Sequence, residues 1–371
     1  MKVEKSLFIC DTPFQILSSI LIIYNDGKED GINDFIVTDH MQGAEMIAKC
    51  LNEQNIVRYA CCVHVSHIEE KKLIRKMHYL LDNICSFDKR WYYKYKSCVY
   101  DNLYVRNFSE IIATSAYTFF GKRNSNLHLY VIDEGYSTYT TSFWKSEQYF
   151  SSIHKLVNKI YKLKFGNGLY NKIYRAKLFF PELLHVQLPF EIERMLEKDF
   201  VLNENQIKTI NRIFNYSNPI KKEQYKYIFF EESFYTDSGN TSDLSMLEDI
   251  AKIVGKDKIV VKLHPRTVVD RFTLNGFSVM SDVIFPWELY GINNINSSII
   301  LLAYSSGALL NYLFFTKSKM KSILLYQVYP ELFSNIKEEI KVWFKDFCGK
   351  YPDIIFVPKS IEELENYLIN N

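Results

Sequence analysis

Short apolar runs alternate with longer amphipathic stretches along the chain, and this alternation limits the folds that it can adopt. Buried parallel strands typically appear as such runs, and helices usually connect them. The predicted strands are 6–10, 34–38, 57–65, 110–114 and 127–133 in the first half, and 226–231, 258–263, 298–304, 322–326 and 353–358 in the second. The pattern therefore predicts an α/β protein with parallel sheets.

A polar stretch without predicted strands, from about 190 to 225, separates the two groups of strands. The stretches with the apolar spacing of helices are 41–51, 68–84, 244–254 and 361–370. With 371 residues the chain can bury two separate cores. We therefore predict two Rossmann-like domains, 1–220 and 221–371, that face a common cleft.

Charge and cysteine content exclude several classes of protein. The 45 basic and 43 acidic side chains nearly cancel, so no overall positive field favours nucleic acid. Seven scattered cysteines without CxxC spacing fit neither a disulfide framework nor a zinc site. The apolar N-terminal run is interrupted by Asp11 and Gln15, and the run at 297–315 contains four serines and a glycine. We predict a cytoplasmic protein.

The segment 151–180 carries seven basic residues and no acidic one. Its basic residues alternate with apolar ones, so a solvated helix face is one interpretation. The other is a surface for anionic lipid or an anionic glycan, which would hold the protein on the inner face of the membrane.

An acidic pair ends the predicted strand 127–133. Asp133 and Glu134 are followed by Gly135 and a polar loop. Mutual repulsion of adjacent carboxylates can raise the pKa of one of them, as a general base requires. The same residues also fit a turn without chemical function.

His264, Pro265 and Arg266 follow the apolar strand 258–263. A histidine at a strand end can donate a proton or a hydrogen bond to an anionic leaving group. Pro265 restricts the direction in which the chain leaves the strand. A single histidine is often structural, but we interpret this one as functional.

Tyr304, Ser305, Ser306 and Gly307 stand between the strand 298–304 and an apolar helical stretch. Serine hydroxyls and free N–H groups at a helix start can bind phosphate, although they also fit a plain helix cap. Because the segment follows His264 within two α/β units, we predict a phosphate site opposite that histidine. Walker and Rossmann glycine motifs are absent from the sequence, which disfavours ATP and NAD as ligands.

A polar loop follows the predicted strand 226–231. It carries four acidic residues and one glycine, namely Glu231, Glu232, Asp237, Asp243 and Gly239. The loop is either a solvated surface segment or a lid whose acidic side chain completes the site.

These motifs resemble those of bacterial sialyltransferases of glycosyltransferase family 52, the lipooligosaccharide sialyltransferases. The resemblance rests on 133–135, on 264–266 and on 305–308, and the opening LFICDTPFQIL at 7–17 is similar to the first strand and helix of that family. Bacterial polysialyltransferases share the acidic pair and the His-Pro pair. The resemblance runs from about residue 6 to 330.

The resemblance implies a GT-B fold and transfer of sialic acid, with inversion, from CMP-sialic acid to a galactose-type hydroxyl of lipooligosaccharide or capsule. An α-2,3 linkage, a homodimer and no metal or other cofactor are implied as well. His264 looks like the histidine that assists departure of the CMP phosphate. Ser305 and Ser306 look like the phosphate ligands, and Glu288 looks like the carboxylate on the ribose hydroxyls.

The resemblance leaves the general base open. Family 52 places it in the loop after the first strand of the second domain, where Asp237 is the match. Because this loop is long, Glu232 and Asp243 remain alternatives. Related sialyltransferase families take the base from the acidic pair, which gives Asp133 or Glu134. We favour Asp237 and place Asp133 second.

The proposed chemistry agrees with the residue types. Departure of CMP leaves positive charge on the sugar and negative charge on one phosphate, so one base and several hydrogen-bond donors suffice. The sequence contains neither a DxD-like triplet nor histidines with the spacing of a metal site. Two rival interpretations are a CDP-glycerol-type glycerophosphotransferase and a non-catalytic protein that binds glycans or membranes.

Overall fold

The computed structural model describes residues 3–64, 95, 97–108, 111–144, 169–220, 225–232, 234–235, 239–264, 267, 269–280, 284–295, 298–314, 316, 320–330 and 337–370. The chain divides into two units, Met1–Tyr216 and Ser217–Asn371. This boundary lies close to the one predicted at residue 220. Elements are numbered below in chain order among the described residues.

The first unit contains a parallel sheet with the strand order β3-β2-β1-β4-β5-β6-β7. Its described strands are β1 (Lys5–Cys10), β2 (Ile32–Thr38), β3 (Tyr59–Val63), β4 (Asn102–Val105), β5 (His128–Ile132), β6 (Ile173–Leu178) and β7 (Glu191–Arg194). The order reverses between β1 and β4, which is the position where ligands bind in sheets of this kind. The predicted α/β class is confirmed.

A row of aromatic rings crosses the middle of this sheet. Phe35, Phe8, Tyr104 and Tyr130 are direct partners on β2, β1, β4 and β5. Their rings stack with centroid separations of 5.0, 4.5 and 4.7 Å. Cross-strand aromatic pairs stabilise one register over its neighbours. We call these four side chains the aromatic row.

The described helices of the first unit cover this sheet. They are α1 (Pro13–Asn25), α2 (Ala44–Asn52), α3 (Ile111–Gly121), α4 (Thr141–Trp144) and α5 (Glu204–Ile213), with 3-10 turns at Tyr136–Tyr139, Leu169–Lys172 and Pro181–Leu183. α1 begins after Thr12, whose hydroxyl accepts the Gln15 N–H at 3.3 Å, and Pro13 occupies its first turn. The helix predicted at 68–84 lies outside the described residues.

The strand predicted at 110–114 is wrong, because α3 occupies this part of the chain. Its β-branched residues suggested a strand. However, Ile112, Ala116 and Phe120 are all buried, and this four-residue spacing belongs to a helix. The actual strand is β4, which precedes it and has only four residues.

The interval from 190 to 225 is not strandless as predicted, since it contains β7. Three of the four residues of β7 are charged, so it lacks the apolar run of an inner strand. Arg175 and Lys177 on β6 stand directly opposite Glu191 and Glu193 on β7. Ion pairs at 2.7 and 3.4 Å join them. Opposite charges across the pair therefore stabilise this edge.

The second unit contains another parallel sheet, with the order β10-β9-β8-β11-β12-β13. Its described strands are β8 (Tyr227–Phe230), β9 (Ile259–Lys262), β10 (Ser278–Val279), β11 (Ile300–Ala303), β12 (Lys321–Leu324) and β13 (Ile355–Phe356). All five strands predicted in this half are confirmed at shorter lengths. β10, with two residues, was too short to be predicted.

The described helices of the second unit are α6 (Ser242–Val254), α7 (Arg271–Leu274), α8 (Glu288–Asn293), α9 (Ala308–Asn311), α10 (Glu338–Lys350) and α11 (Ile361–Asn370), with 3-10 turns at Lys256–Lys258 and Tyr312–Phe314. α6 and α11 pack against each other and match the predicted helices. The strand order reverses between β8 and β11, so the loops after these strands are the expected ligand-binding loops.

Part of the basic segment predicted as a membrane or glycan surface is visible. Residues 151–168 lie outside the described residues. Arg175 and Lys177 are held by the acidic side chains of β7, and Lys177 also contacts Asp26 at 3.2 Å. The interpretation as a helix face is wrong for 173–178, because these residues form strand β6, whose two cations pair with neighbouring acidic side chains. None of the helices in the described part of the chain has the length and apolar character that a membrane crossing requires.

The α3 assignment predicts unequal effects for two adjacent phenylalanines. Phe120 is buried in the core, whereas Phe119 lies at its margin. Phe120→Ala should lower the free energy of unfolding by about 3–5 kcal/mol because it leaves a cavity. Phe119→Ala, the matched control, should lower it by about 1 kcal/mol. Urea unfolding followed by circular dichroism tests this, and equal losses would contradict it.

Candidate functional site

Polar side chains gather at the carboxyl edge of the second sheet. β8 lies between β9 and β11, and all three run in the same direction. Glu231 and Glu232 follow β8, His264 follows β9, and Ser305 follows β11. The sheet therefore brings together the predicted histidine and the predicted phosphate-binding serine.

Glu231 connects the end of β8 to the loop after β9. Its carboxylate accepts hydrogen bonds from the His264 N–H at 2.9 Å, from the Thr267 hydroxyl at 2.6 Å and from Arg271 at 3.2 Å. Only 4% of Glu231 is exposed. A buried carboxylate with three donors holds its neighbours in fixed positions. Glu231 thus sets the backbone position of His264.

Arg271 extends this network to α6. Its guanidinium contacts Asp243 at 2.8 and 3.1 Å and lies over the ring of Tyr235, 4.3 Å from the ring centroid. Asp243 is buried and accepts both of these hydrogen bonds. This two-point pairing with arginine keeps Asp243 in a structural role. Among the alternatives for the general base, the geometry therefore disfavours Asp243.

Glu232 connects the end of β8 to the loop after β11. Its carboxylate accepts the Ser305 N–H, the Ser305 hydroxyl at 3.0 Å and the Ser306 N–H. Burial raises the pKa of Glu232 to about 7, although the serine hydrogen bonds act in the opposite direction. The serine donors that the sequence assigns to phosphate are therefore bound to an acidic side chain of the protein.

Glu288 lies at the start of α8, in the interior of the second unit. It is 4% exposed, and its carboxylate accepts a hydrogen bond from Asn311 at 3.0 Å. Burial raises its pKa. Burial also lowers the pKa of Lys262, the last residue of β9, although the charges of Glu288 and Glu231 oppose this shift. A ribose hydroxyl could contact Glu288, as predicted, only by reaching a carboxylate that is buried in the second unit.

The remaining predicted donor-site residues have different surroundings. Tyr304 is 1% exposed, and its hydroxyl donates to the Tyr329 carbonyl at 2.9 Å, so it belongs to the core. Gly307 is partly exposed at the start of α9. The favoured base Asp237 and the pair Pro265 and Arg266 lie outside the described residues.

In the first unit, Asp133 anchors the turn after β5. It is completely buried and accepts hydrogen bonds from the Gly135 N–H at 2.8 Å, from the Phe179 N–H at 3.0 Å and from the Tyr139 hydroxyl. Burial raises its pKa to about 6 in spite of these bonds. With its oxygens bound to the protein, Asp133 fits the turn interpretation better than the role of a base.

Glu134 has a different environment from its neighbour. Its carboxylate pairs with Arg106 after β4 and keeps 17% exposure. Burial raises its pKa to about 7, and the charges of Asp11 and Asp133 add to the shift, whereas Arg106 opposes it. A partly accessible carboxyl group with this pKa suits proton transfer near neutral pH. Of the acidic pair, the geometry therefore favours Glu134.

Several polar groups near Glu134 are not among the site residues predicted from the sequence. Asp11 follows β1 directly and is 5% exposed; it accepts the Thr38 hydroxyl at 2.6 Å and lies 3.9 Å from the His40 ring. Arg106 follows β4, on the other side of the point where the strand order reverses. Asp11 could have been found, because an acidic residue directly after the first apolar strand marks this edge. Arg106 could not, since its strand was not predicted.

Among the described residues, no group of three or more His, Cys, Asp or Glu side chains has the arrangement of a metal site. The carboxyl groups described above accept hydrogen bonds from arginine, asparagine, serine, threonine, tyrosine and backbone donors. Both sheet edges therefore combine acidic groups with hydrogen-bond donors. Such edges can bind hydroxyls and oxyanions.

No family model matches the chain, and no curated protein matches it. Solved structures do match. The calicheamicin glycosyltransferase CalG4 has a TM-score of 0.52 at 10% identity, over 100% of this chain and 90% of that chain. A UDP-N-acetylglucosamine 2-epimerase has a TM-score of 0.51 at 10% identity, over 100% and 87%.

The UDP-GlcNAc 2-epimerase from Methanocaldococcus jannaschii, in complex with UDP-GlcNAc and UDP, has a TM-score of 0.50 at 14% identity, over 99% of this chain and 92% of that chain. At such low identities the likeness concerns the fold alone. The chain has the GT-B fold, which the family resemblance implies.

The contrast between Asp133 and Glu134 can be measured by stability. Asp133→Asn should lower the free energy of unfolding by about 2–4 kcal/mol, because an amide cannot accept all the hydrogen bonds of the carboxylate. Glu134→Gln, the matched control, keeps an oxygen for Arg106 and should cost clearly less. Thermal and urea unfolding at pH 7 measure both. Equal losses of unfolding free energy would show that the hydrogen bonds of Asp133 do not stabilise the turn more than those of Glu134.

The bracing of His264 by Glu231 predicts a local change. In Glu231→Gln an amide oxygen replaces the charged acceptor of the His264 N–H, and the Thr267 N–H donates to the His264 carbonyl, so hydrogen exchange at both amides should accelerate by about tenfold. Glu365→Gln, on the exposed face of α11, is the control and should leave both amides unchanged. NMR-detected exchange measures the rates. Unchanged protection in Glu231→Gln would remove Glu231 from this role.

Proposed function

We propose that this protein is a sugar-nucleotide-dependent glycosyltransferase that moves sialic acid from CMP-sialic acid to a galactose-type hydroxyl of a surface glycan, with inversion. One observation carries the proposal. The carboxyl edge of the second sheet joins His264 and Ser305 to the same pair of glutamates at the end of β8. A histidine and serine donors around one point suit departure of a nucleotide phosphate.

The transfer can be described with residues of this chain. The acceptor oxygen forms a bond to the anomeric carbon of sialic acid, and the bond from that carbon to the phosphate oxygen breaks. His264 and the N–H groups of Ser305 and Ser306 would stabilise the charge that CMP takes away. A carboxylate takes the proton of the acceptor hydroxyl. The raised pKa of Glu134 favours it as this base, and Asp237 is the base that the family resemblance suggests.

The fold also fits other sugar-nucleotide chemistry. Two of the matching structures are described as UDP-GlcNAc 2-epimerases, and one of these was solved with UDP-GlcNAc and UDP. A GT-B fold does not by itself fix the substrate. A CDP-glycerol-type glycerophosphotransferase would also need a phosphate site beside a histidine. These donors are therefore the comparison substrates in the test.

The proposed donor predicts a specific requirement for His264. CMP release from CMP-sialic acid with lactose as acceptor should survive EDTA and fall by about 10²-fold or more in His264→Ala. His185→Ala, an exposed histidine of the first unit, should match the wild type. Glu134→Gln and Asp237→Asn, measured in the same assay, should identify the base by the larger loss.

Other outcomes would reassign the donor. Consumption of CDP-glycerol without any use of CMP-sialic acid would favour the glycerophosphotransferase. Conversion of UDP-GlcNAc to its 2-epimer would favour an epimerase. Glycan binding that survives His264→Ala, with no turnover of these three donors, would favour a non-catalytic protein.

A further inference from the structure

Three hydrogen-bond donors of one short segment converge on Glu232. The Ser305 hydroxyl and the N–H groups of Ser305 and Ser306 all point to its carboxylate. Ser305 is 6% exposed, so these donors have limited contact with water. Successive N–H groups and a hydroxyl around one oxyanion form the kind of concave donor set that also binds phosphate.

A carboxyl group and a phosphate compete for such donors because both present oxygen atoms that accept hydrogen bonds. We propose that Glu232 occupies an oxyanion site formed by Ser305 and Ser306, and that a phosphate-bearing ligand binds there by displacing Glu232. Glu232 thereby sets the affinity of the second unit for its donor. The inference takes the identity of the ligand from the proposed function, but the competition itself is independent of which nucleotide is bound.

The surroundings of Glu232 favour its release in the charged form. Burial raises its pKa to about 7, and Asp243 on α6 adds a repulsive charge. Arg271 on α7 is committed to Asp243 and Glu231, at 2.8 and 3.2 Å. Ionised Glu232 is therefore less stable in the site formed by Ser305 and Ser306 than neutral Glu232 is. Moving into water lowers the free energy of the ionised form more than that of the neutral form.

The sign of the pH dependence follows. When it is bound to Ser305 and Ser306, Glu232 keeps its proton up to about pH 7, whereas a glutamate in water loses its proton at about pH 4.3. Displacement between these values releases a proton, so the affinity for a non-titrating oxyanion should rise from pH 5 to pH 7. A site that relied on histidine for anion binding would show the opposite slope.

The test is a titration of the full chain with sodium sulfate at constant ionic strength, followed by NMR at the Ser305 and Ser306 amides. Sulfate keeps its charge across this pH range. At pH 6, Glu232→Ala should bind sulfate about tenfold more tightly than the wild type, the factor expected if Glu232 fills the site nine-tenths of the time. Glu365→Ala, which removes an exposed carboxylate of the same unit, should not change the affinity.

A Glu232 that only braces the loop would give the reverse result. Sulfate binding would then weaken or stay the same in Glu232→Ala, which would overturn the inference. Should this variant not fold, the wild type alone decides, because an affinity that is flat or falls from pH 5 to pH 7 would also overturn it. Titration with CMP and UDP separates the two proposals: competition by Glu232 without use of CMP-sialic acid would remove only the proposed donor.

Discussion

The two adjacent glutamates at the end of β8 are the interaction on which the candidate site of the second unit depends. Glu231 accepts donors from the loop after β9, and Glu232 accepts donors from the loop after β11. β8 lies between β9 and β11 in the sheet, so the two residues that follow it can each reach one of the flanking loops. Their burial is tolerated because several donors reach each carboxylate. The central strand thus fixes His264 and Ser305 together.

The sequence was most informative where a strand is a continuous apolar run. β1, β8, β9 and β11 were all predicted, and with them the positions of His264 and Ser305 at one sheet edge. β4, β6 and β7 were not predicted, because β4 has only four residues and charged side chains that pair across the edge interrupt the sequences of β6 and β7. Arg106 was not predicted as a site residue, because the strand that precedes it, β4, was not predicted. Contacts such as Glu232 with Ser305 depend on tertiary geometry, which spacing does not encode.

Asp133 and Glu134 illustrate the same limit at a single dipeptide. The sequence treats them alike, as two acids before a glycine. In the fold, Asp133 is enclosed by donors of its own unit, whereas Glu134 stays partly accessible and pairs with Arg106. Burial and partners, rather than residue type, separate an anchor from a candidate base. The matching structures include a glycosyltransferase and an epimerase, so the fold alone does not fix the function.

The aromatic row has a consequence for how activity would respond to mutation. Its rings fix the relative alignment of β2, β1, β4 and β5. Asp11, Arg106 and Glu134 follow three of these strands within a few residues, so the stacking also sets the depth at which each polar group stands. A smaller side chain in the row would let adjacent strands settle differently and would misplace all three groups at once. An effect of such a substitution on binding or activity would therefore reflect strand alignment, although the altered side chain is two to four residues away from each of these polar groups.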